Sequence, residues 1–159
     1  MATFTVTTLN DTVNASDGVL SLREAVAQSN ATTAADTIQF APNLEGETLT
    51  LTQGELALKQ DVTIDGDRDN NGSRVVLSGG WSEAWDERDG SRIARIEGAS
   101  TDVVMRDITL THGSAGYSND GYSENGGAVL VEGGGLSIIN SAVTENIATF
   151  GGEIGRAHV

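Results

Sequence analysis

Cysteine is absent from the 159 residues, and other scarce residue types narrow the possible folds further. Without cysteine no disulfide can form, so the sequence carries no redox signature of a cellular compartment. Aromatic residues make up only 4% of the chain, and proline occurs once. A compact β-sandwich or barrel normally has more large rings at its centre. Together with 20 glycines, these absences favour short strands and tight turns over long helices.

Positive charge is also scarce, since Lys59 is the only lysine and the formal net charge is −14. Such a surface repels phosphate backbones and anionic lipids, which argues against nucleic acid and membrane-surface partners. It suits the capture of divalent cations, although solubility alone explains it equally well. No apolar run is long enough to cross a bilayer, and the first residues lack the features of a secretory signal peptide.

One short helix is predicted near the start of the chain, in the stretch DGVLSLREAV. Ser21 can act as its N-cap, and Glu24 three residues later completes a capping box. Leu22 and Val26 fall on one face at helical spacing, and Asn30 is a suitable stop. A helix of roughly ten residues is not stable alone in water, so its apolar stripe must pack against another element.

Short alternating strands recur along the rest of the chain. Each has two aliphatic residues two positions apart, followed by a small or polar turn residue, and the spacing between strands is irregular. We predict strands in residues 3–8, 36–40, 48–51, 55–58, 61–66, 74–79, 92–98, 107–113, 127–133 and 136–141.

This pattern predicts an all-β fold, a parallel β-helix in which coils of short strands stack at about 4.8 Å. Asn140 would stand at a coil corner and stack on its counterparts. An antiparallel sandwich is the alternative, but the irregular inserts and the lack of clear two-residue hairpin turns count against it. The stack would leave an open strand edge at its end. The early helix is therefore expected to cover that end as a lid.

Four stretches of the sequence resemble a known family: DGVLSLREAVAQSN, DTIQF, GETLTLTQGELAL and DVTIDG. They are similar to the N-terminal segment of bacterial secreted and surface proteins named for a Cys-Ser-Leu-Arg-Glu-Ala (CSLREA) signature, related to polymorphic outer-membrane-protein repeats. The resemblance spans residues 3–152, and Leu20 stands where many members carry Cys. It implies a right-handed parallel β-helix in an extracellular or cell-surface protein. It also implies type I secretion, with the export signal in a missing C-terminal part.

The chain divides by pattern into three parts. Residues 1–47 are expected to form the cap, and residues 48–152 the coils, with loop inserts at 79–92 and 112–127. Residues 153–159, EIGRAHV, break the repeat abruptly and match what a sequencing-adapter read would encode. We interpret these last residues as a non-native tail.

The strongest local motif is DGDRDNNG, residues 65–72. Asp65, Asp67 and Asp69 alternate, and Asn71 adds an oxygen two positions on. Calcium takes six to eight oxygen ligands, and a loop of this kind can curl carboxylates around it. The motif lacks the Gly and the final Glu of an EF-hand. It therefore predicts a calcium-stabilised turn between coils, with a metal-free Asp/Asn/Gly turn as the alternative.

The two inserts carry the rings that could bind carbohydrate. Trp81 and Trp85 lie in the first insert, and Tyr117 and Tyr122 lie in the second among acidic and amide side chains. Rings beside polar groups on outward loops can stack on sugars, whereas the alternative is that each ring packs down on the coil wall.

Catalysis has weaker support in the sequence. A β-helix wall can present carboxylates in a row, and Asp107 should face outward if Ile108 and Leu110 face inward. Nothing in the spacing fixes the pair that a glycosidase needs or the base that a lyase needs. His112 is the only credible catalytic histidine. The other outward candidates are Asp102, Arg106, Thr109, Glu132 and Glu145.

The sequence therefore predicts a non-enzymatic extracellular or cell-surface β-helix module, adhesin-like or structural and stabilised by calcium. Its expected partner is a polysaccharide or a host or cell-surface glycan. Two alternatives stay open: a carbohydrate-active β-helix enzyme of the lyase or glycosidase kind, and a passive sugar-binding wall.

Overall fold

The computed structural model describes residues 1–82, 90–115, 125–148 and 153–156. One α-helix, one 3₁₀ turn and fifteen short strands make up the regular structure of this part of the chain. The elements are β1 Thr3–Val6, α1 Leu22–Asn30, β2 Asp36–Phe40, the 3₁₀ turn Pro42–Leu44, β3 Thr48–Thr50, β4 Leu56–Leu58, β5 Val62–Asp65, β6 Val75–Ser78, β7 Ala94–Ile96, β8 Asp102–Arg106, β9 Ile108–Thr111, β10 Ser114–Ala115, β11 Val129–Val131, β12 Gly135–Ile139, β13 Ala142–Thr144, β14 Ile147–Ala148 and β15 Ile154–Arg156.

The strands form three main sheets. The first sheet has the order β1-β2-β5-β8-β12, the second β3-β6-β9-β13, and the third β4-β7-β11-β15. A small additional pair joins β10 to β14. Every pairing between the described strands is parallel, which excludes the antiparallel sandwich for this part of the chain.

The chain visits the three sheets in rotation. It runs through β2, β3 and β4, then β5, β6 and β7, and each new strand pairs with the strand of the preceding round. The next rounds are β8, β9 and β11, followed by β12, β13 and β15. We call each round a pass. The predicted parallel β architecture is confirmed at this level.

Aliphatic side chains from successive passes stack on the inner faces of the sheets. Leu49, Leu77 and Leu110 occupy equivalent register positions in the second sheet, and all three are fully buried. Val62, Ile64, Val103 and Met105 do the same in the first sheet. Inward positions alternate with outward ones, as expected for a period of two. This is the interior that the scarcity of aromatics predicted.

The corner between the first and second sheets uses left-handed backbone. Asp107 and Asn140 have φ values of +52° and +47°, and the Asn140 amide donates a hydrogen bond to the Asp107 carboxylate of the preceding pass. The predicted corner position of Asn140 is confirmed. Gly66 stands one pass earlier, where a Cβ atom would lie 2.4 Å from the Asp107 carbonyl oxygen. Only glycine allows the passes to approach so closely here.

The predicted helix and its capping box are also confirmed. The Ser21 hydroxyl accepts from the Glu24 amide at 3.1 Å, and the Glu24 carboxylate accepts from the Ser21 amide at 2.9 Å. Leu22, Ala25 and Val26 are buried in the core, so the apolar stripe packs as its spacing required. These contacts supply the tertiary packing that a helix of this length needs.

The N-terminal region contacts strand edges of the first pass. Strand β1 pairs with β2 and so extends the first sheet by one strand. The Asn30 side chain donates to the Ala57 carbonyl at 2.8 Å and accepts from the Lys59 amide at 2.9 Å. One amide thus satisfies two backbone groups along β4, much as a neighbouring strand would. These contacts place the end of α1 along the edge of β4 that pairs with no other described strand, and we call α1 with the loop before it the lid.

A second set of contacts fixes α1 to the turn after β3. Asp11 is ion-paired with Arg23 at 2.7 Å and accepts hydrogen bonds from the backbone amides of Thr52 and Gln53. Arg23 also donates to the Gly54 carbonyl at 2.6 Å. The Asp11 side chain is fully buried. A charged pair therefore joins the lid to the body of the stack.

Several elements differ from the sequence prediction. Residues 102–106 form β8 although no strand was predicted there, and β13, β14 and β15 were likewise not anticipated. Strand β15 lies within residues 153–159 and pairs in parallel with β11. The interpretation of those residues as a non-native tail stays a prediction, as do the domain boundaries. Within the described residues, no helix has the length and apolar character that crossing a bilayer requires.

Candidate functional site

An acidic cluster forms where the turn after β5 meets the turn before β3. Carboxylate oxygens of Glu45, Asp67 and Asp69 all lie within 4.8 Å of one another. Carboxylates held this closely repel one another unless a cation or a proton lies between them. Burial, with the charges of Asp69 and Asp67, raises the pKa of Glu45, although a hydrogen bond from the Arg68 amide opposes this.

Asp67 is the structural centre of this turn. Its carboxylate is buried and accepts hydrogen bonds from the backbone amides of Asn71 at 3.0 Å and Gly72 at 2.7 Å. Asp69 accepts from the same Asn71 amide at 3.1 Å. These bonds fold the loop back on itself, so two carboxylates face Glu45 from one side. Such an arrangement supplies hard oxygen ligands of the kind that calcium takes.

The four predicted metal ligands are only partly brought together. Asp67 and Asp69 belong to the cluster. The side-chain amide nitrogen of Asn71 lies 3.5 Å from a Glu45 carboxylate oxygen. Asp65 instead ends β5 and is ion-paired with Arg106 on β8 at 2.5 Å. Glu45 was not singled out in the sequence, because it precedes the motif by twenty residues and reaches it only through the stacking of passes.

A second feature is a groove on the outer face of the second sheet, with a volume of about 600 Å³. We call it the hydroxyl groove. Its walls and floor are formed by side chains from all four strands of that sheet and by the segments that follow them. The lining residues are Thr48, Thr50, Val76, Ser78, Gly80, Trp81, Thr109, Thr111, His112, Thr144 and Glu145.

The hydroxyls of this groove form rows across the sheet. Thr50 pairs in register with Ser78, Ser78 with Thr111, and Thr111 with Thr144. The residues that alternate with them are aliphatic and point inward, so these side chains lie on the outer side of the sheet, where Thr50 and Thr144 are exposed and Ser78 and Thr111 are each 8% exposed. Thr48 and Thr109 belong to the parallel row two residues earlier. Adjacent members of a row are spaced by the strand separation of about 4.8 Å.

Trp81 is held beside the groove by backbone hydrogen bonds. Its amide donates to the His112 carbonyl at 2.9 Å, and the Ser91 amide donates to the Gly79 carbonyl at 2.8 Å. A Cβ atom on Gly79 would lie 2.2 Å from the Ser91 carbonyl oxygen, so only glycine permits this close approach. The Trp81 and His112 ring centroids are 6.5 Å apart. The indole is therefore fixed at one margin of the groove.

Three polar side chains meet at the same margin. The Thr111 hydroxyl lies 2.8 Å from His112 Nδ1 and donates to Glu145 at 3.4 Å. His112 Nε2 lies 3.6 Å from the Glu145 carboxylate. His112 and Glu145 occupy the corner after the second sheet in successive passes, both with positive φ. The sequence pattern indicates these two residues separately, and the stacking of passes is what brings them together.

The four aromatic residues predicted to bind sugar lie in the two inserts. Trp81 is half-buried and borders the hydroxyl groove. Trp85, Tyr117 and Tyr122 lie outside the described residues, so their predicted role in sugar binding stays a prediction.

The outward carboxylates have mixed positions. The expectation that Asp107 faces outward is wrong, because it is buried at the corner after β8, where the backbone turns between two sheets. Asp102, Glu132 and Glu145 are exposed. Glu132 lies 3.6 Å from Arg95 on the neighbouring strand of the third sheet. Asp102, Glu132 and Glu145 therefore lie in, or directly after, strands of three different sheets of the molecule.

Comparisons with protein-family models, with curated proteins and with solved structures give no match to this chain.

Proposed function

We propose that the chain is a module of a right-handed parallel β-helix of the CSLREA type, acting as a non-enzymatic scaffold or adhesin outside the cell or on its surface. The supporting observation is the rotation of the chain through three parallel sheets, with each strand paired to the previous pass. Crossover connections between parallel strands of one sheet are right-handed in about 98% of cases. Stacked passes of this kind give a rigid rod whose outer faces are free for display.

The extracellular assignment can be tested in the source cells. Antibodies raised against the purified chain should label intact cells or detect the protein in the culture medium. Protease added to intact cells should remove the surface signal. A signal found only after lysis, and protected from protease before it, would contradict the assignment.

Calcium is proposed to stabilise the scaffold at the cluster of Glu45, Asp67 and Asp69. Three carboxylates within 4.8 Å of one another, together with a formal net charge of −14, support a divalent cation. Extracellular calcium modules typically bind with dissociation constants of about 10⁻⁴ to 10⁻³ M. At 10 mM calcium, a site of this class would stabilise the fold by about 1–3 kcal/mol.

Calorimetry tests this site directly. After treatment with EDTA, adding 10 mM calcium should raise the melting temperature of the chain by about 5 °C. Asp67→Asn and Glu45→Gln should abolish the rise, whereas Glu47→Gln, which alters an exposed carboxylate two residues further on, should keep it. An unchanged melting temperature of the unsubstituted chain would eliminate the calcium proposal.

The enzyme alternative stays a prediction. A glycosidase requires two carboxyl groups at a set separation across the scissile bond, and a lyase requires a positioned base. Release of unsaturated products from acidic polysaccharides incubated with the chain would favour the enzyme over the scaffold.

A further inference from the structure

We propose that the hydroxyl groove binds a neutral polysaccharide chain, with Trp81 as its stacking platform. This inference goes beyond a scaffold role. It rests on the described second sheet and not on the acidic cluster, so the groove and the calcium site can fail independently. The argument uses the side chains that the groove exposes, the placement of the indole and the charge of the molecule.

The exposed hydroxyls match the donors and acceptors of sugar hydroxyl groups. Thr48, Thr50 and Thr144 are exposed and Thr109 is half-buried, and all four line the groove. Each hydroxyl both donates and accepts a hydrogen bond. Adjacent strands are spaced about 4.8 Å apart, which is close to the length of one hexose in an extended chain. A linear glycan lying across the strands would therefore meet accessible hydroxyls on β3, β9 and β13, whereas Ser78 on β6 is buried.

The indole of Trp81 supplies the apolar half of the recognition. A pyranose ring presents a face of C–H groups, which packs on an aromatic surface while its hydroxyls bond elsewhere. Trp81 is half-buried, and its backbone is held by the bond from its amide to the His112 carbonyl. Because the platform is already placed, binding does not have to order it, and this preserves affinity.

Charge decides which glycan fits. The formal net charge of −14 repels chains of uronic acids or sialic acids at long range. Glu145 borders the groove beside His112 and would repel an anionic substituent at short range. A carboxylate accepts strong hydrogen bonds from neutral sugar hydroxyls. The preferred ligand is therefore a neutral hexose polymer.

Binding can be measured on the intact chain by titration calorimetry and tryptophan fluorescence. The probes are the hexose oligomers cellohexaose and mannohexaose, with oligogalacturonate as an acidic comparison. We expect saturable binding of at least one neutral probe and no binding of oligogalacturonate. Trp81→Ala should weaken the neutral interaction about tenfold, whereas Trp81→Phe should retain most of it.

A matched pair of threonine substitutions separates the groove from general effects on the fold. Thr109→Val removes one groove hydroxyl and should weaken binding about two- to tenfold. Thr63→Val makes the same change on the outer face of the first sheet and should leave binding unchanged. Binding of none of the neutral probes, preference for oligogalacturonate, or equal effects of the two threonine variants would each overturn the proposal. The threonine pair keeps the test decisive if Trp81→Ala fails to fold.

Discussion

Single carboxylates in this protein hold segments that are far apart in sequence. Asp11 accepts hydrogen bonds from the Arg23 guanidinium and from the amides of Thr52 and Gln53, all with its side chain fully buried. Burial alone would raise the pKa of Asp11, but these hydrogen bonds and the positive charge of Arg23 outweigh it and lower the pKa. The folded protein therefore favours the ionised form of this group.

This shift gives the protein an acid-sensitive contact between lid and body. Because the folded pKa lies below the unfolded value of about 3.9, the stabilisation is present above that value and is lost as pH falls through the folded pKa. Asp11→Asn should lower the free energy of unfolding by about 2 kcal/mol at pH 7, since Arg23 loses its charged partner.

Urea unfolding between pH 2.5 and pH 7 tests this expectation. The difference between the native chain and Asp11→Asn should shrink as the pH falls, because the native carboxylate takes up a proton below its lowered pKa. Asp17→Asn, in an exposed loop, should track the native chain throughout. A difference that stays constant with pH would show that the effect of Asp11→Asn is not electrostatic.

At the scale of elements, local sequence pattern predicted most strands, the helix and their parallel arrangement, but not the register in which the passes stack. Val62 and Ile64, two positions apart, are buried as their alternation indicated, and the capping box of Ser21 and Glu24 formed. Strand β8 was missed because a single residue, Asp107, separates it from β9. The turn depends on a left-handed φ of +52° at that residue, which the sequence does not signal as a glycine would.

The candidate sites were predicted least completely for the same reason. Asp67 and Asp69 were found by their spacing, but Glu45 joins them only because successive passes place two turns side by side. Glu145 likewise meets Thr111 and His112 across one step of the stack, although more than thirty residues separate it from them in sequence. Contacts of this kind depend on the register between passes, and the irregular loop lengths hide that register from sequence reasoning.

The helix α1 offers a test of edge protection at this scale. Asn30→Ala removes both bonds to β4 and should lower the free energy of unfolding by about 1–2 kcal/mol, with increased aggregation during thermal unfolding. Gln28→Ala changes an exposed residue of the same helix and should cost almost nothing. Chemical denaturation and light scattering measure the two effects. Equal stability of the two variants would mean that Asn30 does not protect the edge.

At the scale of the whole molecule, the last pass among the described residues has exposed apolar side chains. Ile139 is 53% exposed and Ile154 is 42% exposed. A cavity of about 520 Å³ lies between the first and third sheets at this end. Its lining residues are Val131, Gly134, Gly135, Leu136, Ile138, Ile154 and Gly155. Exposed strand edges beside apolar surface promote pairing with other chains.

We therefore expect the purified chain to self-associate through this end. Sedimentation velocity over a concentration series should show oligomers, and Ile139→Lys with Ile154→Lys should shift the population towards monomer. Val13→Lys adds the same charge at an exposed apolar residue in the N-terminal region and should leave the distribution unchanged. A monomer at all concentrations, or an equal response to all three changes, would contradict this expectation.

The bond between the Gly79 carbonyl and the Ser91 amide closes the base of the first insert. The peptide between those two residues leaves the stack after β6 and rejoins it before β7 at one point, so its length does not alter the alignment of β6 with β9. Foreign epitopes could accordingly be grafted there without disturbing the stacked passes. The same tolerance would let natural variation exchange the displayed peptide while the framework that carries it stays constant.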